Sequence, residues 1–177
     1  YWKAPNIVYS VAVDSQFNVY AGDNSNYVTK LDSSGKQVWQ WKSSNMVHSV
    51  AVDSQFNVYA DGYTDGSGCV TKLDINGNKI WQWRAPDNVT SVVVDSNFNV
   101  YAGGGIFYSN YVTKLDSSGK QVWQWTAPSS VNSVAVDSKF NVYVGDSGSH
   151  VTKLDSTGKQ VWQWKSSNMV HSVAVDS

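Results

Sequence analysis

The sequence predicts an all-β protein, and three observations carry that prediction. The 177 residues contain no glutamate and only four leucines, Leu31, Leu73, Leu115 and Leu154. Leu and Glu are strong helix formers because their unbranched stems lose little freedom in a helix. In their place stand Val, Tyr, Trp and Thr, which suit a pleated, half-buried surface. Between these runs lie Asn, Ser, Asp and Gly, which are turn residues.

The third observation is an internal repeat. Near-copies of one unit begin at Val8, Val47, Val89 and Val131, and a fifth begins at Val170 and stops after VHSVAVDS. The copies span residues 8–46, 47–88, 89–130, 131–169 and, in part, 170–177. Residues 1–177 are therefore expected to form a single domain or part of one, built by repetition.

Each copy divides into four short strands. SVAVD (10–14 in copy one) carries small and β-branched residues suited to a crowded position. DSQF follows as a turn, where Asp14 and Asn18 can bond nearby backbone amides. NVYAG is the second strand, and a loop of variable length leads to YVTKLD, the third. In DSSGK the glycine, Gly35, is free to take a positive φ. KQVWQW is the fourth strand and places Trp39 and Trp41 on one face, because strand side chains alternate with period two. Four antiparallel strands at a period near forty make a β-propeller blade. A lone blade cannot bury both faces, so Trp39, Trp41, Trp81, Trp83, Trp123, Trp125, Trp162 and Trp164 are expected to pack between blades.

These residues also carry a family resemblance. LDSSGKQVW (31–39) and LDSTGKQVW (154–162) resemble the blade motif of quinoprotein-type propellers, an Asp-x-x-Thr-Gly-Lys turn leading to a docking tryptophan. VAVDSQFNVYAGD (11–23) is similar to the inner strands of NHL-like blades. The resemblance implies the fold and says little of function, since propellers host enzymes, lectins and scaffolds alike. Phe17, Phe56, Phe98 and Phe140 depart from it, standing where those repeats have glycine, so that turn is expected to be packed. The quinoprotein resemblance implies, for dehydrogenases, a cofactor held with calcium, a catalytic Asp and often a vicinal disulfide. This chain has one cysteine, Cys69, and its aspartates fall almost entirely in repeat-equivalent turns. No cofactor is expected.

Other classes are weighed on composition. A formal net charge of −1 argues against nucleic acid or an anionic membrane surface as partner. No apolar run approaches the ~18 residues of a membrane-spanning helix, and no signal-like segment opens the chain. His48 and His171 share a repeat position with Tyr9, Thr90 and Asn132, which reads as a variable edge rather than a catalytic base. DGYTDGSG (61–68) lacks the middle ligand and closing Glu of a calcium loop. Asn88-Val89-Thr90 is a glycosylation sequon only in a host that modifies secreted proteins.

Comparison of the copies points to one edge of each blade. All length variation falls in the loop between strands two and three: 22–27, 61–69, 103–111 and 145–150. The connectors between blades are expected on that same edge. Loops on a rigid scaffold commonly carry function, so Tyr63, Asp65, Ile106, Phe107, Tyr108 and His150 are the candidate ligand-binding residues. The expected function is a non-enzymatic, multivalent and lectin-like binding module for a carbohydrate or protein, extracellular or at the cell surface. The alternative is a piece of a quinoprotein-like or hydrolase propeller enzyme with its catalytic residues elsewhere. Tyr1–Asn6 aligns with a fourth strand and 170–177 with a first, so unpaired edges are expected to drive self-association or to mark a longer chain.

Overall fold

The computed structural model describes residues 2–106 and 109–176, and every regular element within them is a β-strand. The chain divides into two compact units, Tyr1–Ala85 and Pro86–Ser177, each holding two four-stranded sheets. In the first unit, one sheet is the meander β1 (Val8–Val13), β2 (Val19–Asp23), β3 (Tyr27–Leu31) and β4 (Gln37–Lys42). The other is β5 (Val50–Val52), β6 (Val58–Thr64), β7 (Ser67–Leu73) and β8 (Lys79–Arg84). The second unit repeats the plan with β9 (Val89–Val94), β10 (Val100–Gly104), β11 (Tyr111–Leu115) and β12 (Gln121–Thr126). Its last sheet is β13 (Val131–Val136), β14 (Val142–Asp146), β15 (His150–Leu154) and β16 (Gln160–Lys165). All neighbours are antiparallel, and each sheet is one propeller blade of the repeat.

The first turn of each blade is held by its aspartate. Asp14 Oδ1 accepts the amides of Gln16 and Asn18, while Oδ2 accepts Asn18 Nδ2 and the Tyr20 hydroxyl at 2.9 Å. Asp53, Asp95 and Asp137 repeat the pattern with Tyr59, Tyr101 and Tyr143. Burial pushes the Asp14 carboxyl up, but the bonds from Asn18, Tyr20 and Gln16 outweigh it and hold it below the usual value. Burial pushes the Tyr20 phenol up, and the neighbouring Asp14 adds to that. Lys30 lies over the Tyr20 ring, 5.3 Å from its centroid, and Trp39 tilts against the same ring at 6.0 Å. This Asp–Tyr–Lys–Trp stack recurs in every blade, so it is a fastening of the fold and not a reactive constellation.

Of the phenylalanines of that turn, Phe17 differs from the expectation of packing. Phe17, Phe56, Phe98 and Phe140 sit at φ of 63–66°, and Phe17 is 73% exposed. The turn keeps the left-handed backbone that a glycine would supply and closes through its aspartate, with the ring exposed at Phe17 and half-buried at Phe56, Phe98 and Phe140.

Within each unit the blades pack as the tryptophans foretell. Trp39 and Trp41 join a core of Tyr20, Val28, Val47, Val50, Val58 and Leu73, and Trp123 and Trp125 join the corresponding core of the second unit. Gly77, at φ +83°, leaves room for the Trp39 ring, which a Cβ there would meet at 3.0 Å. Trp81 lies against Tyr59 of its own blade at 6.0 Å. Trp162 and Trp164 depart from the expectation of an inter-blade core: they are 42% and 59% exposed. The physical reason is that, among the described residues, only the segment 170–176 follows their blade.

Candidate functional site

The variable loops and the connectors share one edge in each unit, because the backbone laces them together. Val47 N donates to Asp23 O and Ser43 N to Asn26 O; Ala127 N donates to Asn110 O and Ser147 N to Ser130 O. A side chain on a loop is thereby fixed relative to the connector beside it.

The most chemically distinctive cluster on these edges lies in the first unit. Asp61 stands where copies one, three and four carry Gly22, Gly103 and Gly145. Its Oδ1 accepts the amides of His48 and Ser49 at 2.7 and 2.9 Å. A carboxylate thus takes the place of strand carbonyls, and β5 begins at Val50, three residues later in the repeat than the other first strands. Asp61 Oδ2 lies 3.2 Å from His48 Nδ1; the carboxylate is 2% exposed and the imidazole 43%. Burial pushes the Asp61 carboxyl up, against the amides and imidazole that favour its anion. The hydrogen bond to Asp61 holds the His48 imidazole above the ordinary histidine value, against its own partial burial. The Tyr9 ring stands 5.1 Å from the His48 ring, and its hydroxyl donates to Asn24 Oδ1. The result is a half-exposed aromatic shelf whose imidazole is oriented by a buried carboxyl.

The candidate residues taken from the sequence occupy separate places. Tyr63 and Asp65 lie at the β6–β7 hairpin, where Tyr63 Oη donates to Gly66 O and Arg84 donates to the Asp65 carbonyl. Asp65 takes a left-handed φ of 47°. In the second unit Ile106 is 56% exposed, and Asp87 Oδ2 accepts the amides of Ile106 and Ser109. Asp87 belongs to the connector, so Ile106 and Ser109 of this loop are held by a residue that the loop's own sequence does not contain. Phe107 and Tyr108 lie outside the described residues. His150 is oriented by Asp146, whose Oδ1 accepts the His150 amide at 2.9 Å and lies 3.2 Å from Nδ1.

Sequence reasoning passed over Asp61, Asp87 and the His48 pair. For Asp61 the signal was present, as a lone aspartate at a position otherwise filled by glycine. Cys69 is buried, its sulfur accepts from Gln82, and burial pushes the thiol up, so it stays protonated at neutral pH. Among the described residues no group of three or more His, Cys, Asp or Glu side chains converges to hold a metal ion. No helix among them is long and apolar enough to cross a membrane.

Comparison with known proteins bears on this arrangement. A family model described as outer membrane protein assembly factor BamB matches residues 66–176. A chain of the crystal structure of the mitotic checkpoint complex superposes with a TM-score of 0.83 at 17% identity, over 97% of this chain and 55% of that one. That likeness shows the β-propeller fold. Since 866 chains of solved structures match, the fold alone selects no activity. None of the curated proteins matches.

Proposed function

This chain belongs to the quinoprotein-type repeat family described as outer membrane protein assembly factor BamB, and from that membership we propose that it is a non-enzymatic module presenting its loop edges to a protein ligand. The observation that carries the reading is the Tyr9–His48–Asp61 cluster. Copy-specific side chains there are set on a scaffold whose turns are otherwise the same in every copy. The family's description, an assembly factor, favours protein over the carbohydrate ligand of a lectin-like module. Several similar edges in one chain would gain avidity from weak sites. No observation on this chain favours a fragment of a propeller enzyme.

The reading is tested with a displayed peptide library and a glycan array probed by the purified chain. Peptide binding weakened by His48→Ala or Tyr63→Ala is the expected result. Glycan binding alone would make the module a lectin. Turnover of a substrate, or binding that ignores every loop-edge substitution, would overturn it.

A further inference from the structure

The two ring nitrogens of His48 have different surroundings. Nδ1 lies 3.2 Å from Asp61 Oδ2, a buried atom. Asp61 cannot turn away, because its Oδ1 is held by the amides of His48 and Ser49. Nε2 is therefore the nitrogen that this half-exposed imidazole offers outward.

The proton count of the pair decides what Nε2 offers. With one proton, that proton sits on Nδ1 against the carboxylate, and Nε2 is a bare acceptor. A second proton makes Nε2 a donor. This holds wherever the inner proton rests: an imidazolium beside a carboxylate and an imidazole beside a carboxylic acid both leave a hydrogen on Nε2. Proton uptake thus reverses the polarity of the outward atom while Asp61 keeps the ring in place.

The surroundings favour the donor state and an acidic ligand. The titratable groups that face the ring are Asp61 from β6 and the Tyr9 phenol from β1. The hydrogen bond to Asp61 holds the imidazole above its ordinary value, and the Tyr9 ring, 5.1 Å away, attracts a charged imidazole through its π face. From β2, Asp23 is committed to its own turn, where its Oδ1 accepts the amides of Ser25 and Tyr27. Lys42 and Arg84 close β4 and β8 where the connectors begin, on this same edge, and both are exposed. Of the carboxylates on the edge, Asp23 and Asp61 are buried and Asp65 is exposed. The first unit therefore shows its cations and hides two of its anions.

We propose that this edge of the first unit binds an acidic segment of a protein, in which an Asp or Glu carboxylate accepts the hydrogen of His48 Nε2, so that the proton on His48 switches binding on. In the protonated state the contact is a charge-assisted hydrogen bond, and Lys42 and Arg84 add attraction at longer range. In the deprotonated state two acceptors meet, and the contact is lost. Because this site belongs to the loop edge, the proposal holds only if those edges bind a protein ligand.

Two displayed random-peptide libraries test it, one containing Asp and Glu and the other Asn and Gln in their places. Each is probed with the full chain at about pH 6 and about pH 8.5, either side of the ordinary imidazole value. Binders should come from the acidic library, and a peptide selected there should bind ~10-fold more weakly at the higher pH. His48→Gln should remove that dependence, Asp61→Asn should move it to lower pH, and His171→Ala should leave it unchanged. Lys42→Gln should weaken binding about equally at both pH values. Binders drawn equally from both libraries, an acidic peptide bound equally at both pH values, or a dependence that survives His48→Gln overturns the proposal and leaves the loop-edge reading standing. No binder from either library overturns that reading, and the proposal with it.

Discussion

Trp39 donates its indole N–H to the backbone carbonyl of Ile75 at 2.9 Å, joining two copies of the repeat that lie 36 residues apart in sequence. The bond needs Gly77 two residues on, since the indole lies against the turn where any Cβ would stand. Trp123 makes the same bond to Ser156 beside Gly158.

Trp39→Ala and Trp123→Ala should each cost about 3 kcal/mol, at the lower end for a large aromatic because both rings are half-buried. Trp162→Ala should cost less, because Trp162 is 42% exposed and keeps chiefly its contact with the Tyr143 ring. Urea denaturation at low protein concentration checks the contrast, and equal losses at all three sites would contradict the packing described.

Asp53→Ala should be more damaging than Asp74→Ala. Asp53 is buried and accepts the Tyr59 hydroxyl and the Asn57 side-chain amide, and losing that buried acceptor should cost about 1–3 kcal/mol. Asp74 serves an exposed turn, where water replaces the lost acceptor. The difference between the two midpoints in urea is the measurement.

Stability should fall steeply below about pH 4. Asp32, Asp74, Asp116 and Asp155 are held below the usual carboxylate value first by hydrogen bonds from Ser34, Asn78, Ser118 and Thr157. Asp14 and Asp137 lie low because hydrogen bonds outweigh burial. A carboxyl lowered by folding contributes stability that is complete above its unfolded value and is lost as pH falls through the folded one. A stability curve flat from pH 5 down to pH 2 would be inconsistent with these bonds.

His48 gives a dependence of opposite sense. Its imidazole is raised by Asp61, so its contribution is complete below the unfolded value of about 6.5 and disappears as pH rises through the folded value. The stability gap between the native chain and His48→Ala should therefore narrow between pH 6 and pH 9. Paired urea titrations across that range measure it; a gap that widens would mean the pair is not formed.

Phe17→Gly should stabilise the chain by roughly 0.5 kcal/mol. A left-handed backbone costs an L-residue about 1–2 kcal/mol, partly offset by the greater entropy glycine loses on folding. Because the Phe17 ring is largely in water, little packing is given up. A lower melting temperature for the variant would show that the ring holds something in place.

Much of the fold could be read from the sequence because one signal was written four times. The alternation in QVWQWK and the Asp and Gly of DSSGK fixed strands and turns by local chemistry, and repetition removed ambiguity. The expectation of packing failed at Phe17, whose ring is exposed, while the left-handed backbone of that turn is held by the Asp14 bonds. The site was harder to read. Asp61 acts on His48 thirteen residues away, and Asp87 holds Ser109 across 22 residues. Such pairings depend on which strand ends meet, and no single copy displays them.

The serine acceptors between inner strands also give the molecule a direction in time. Ser10, Ser91 and Ser133 each wait for an amide made 40 to 43 residues later. On a ribosome the earlier serine has emerged and its strand is already paired when the later valine appears. Each new inner strand is thus offered a finished template, and assembly runs with synthesis. Chains diluted from denaturant lose that order, since all copies of nearly the same strand are present at once. Vectorial synthesis is for this chain a device against mispairing, and it matters more here than in a protein whose strands differ from one another.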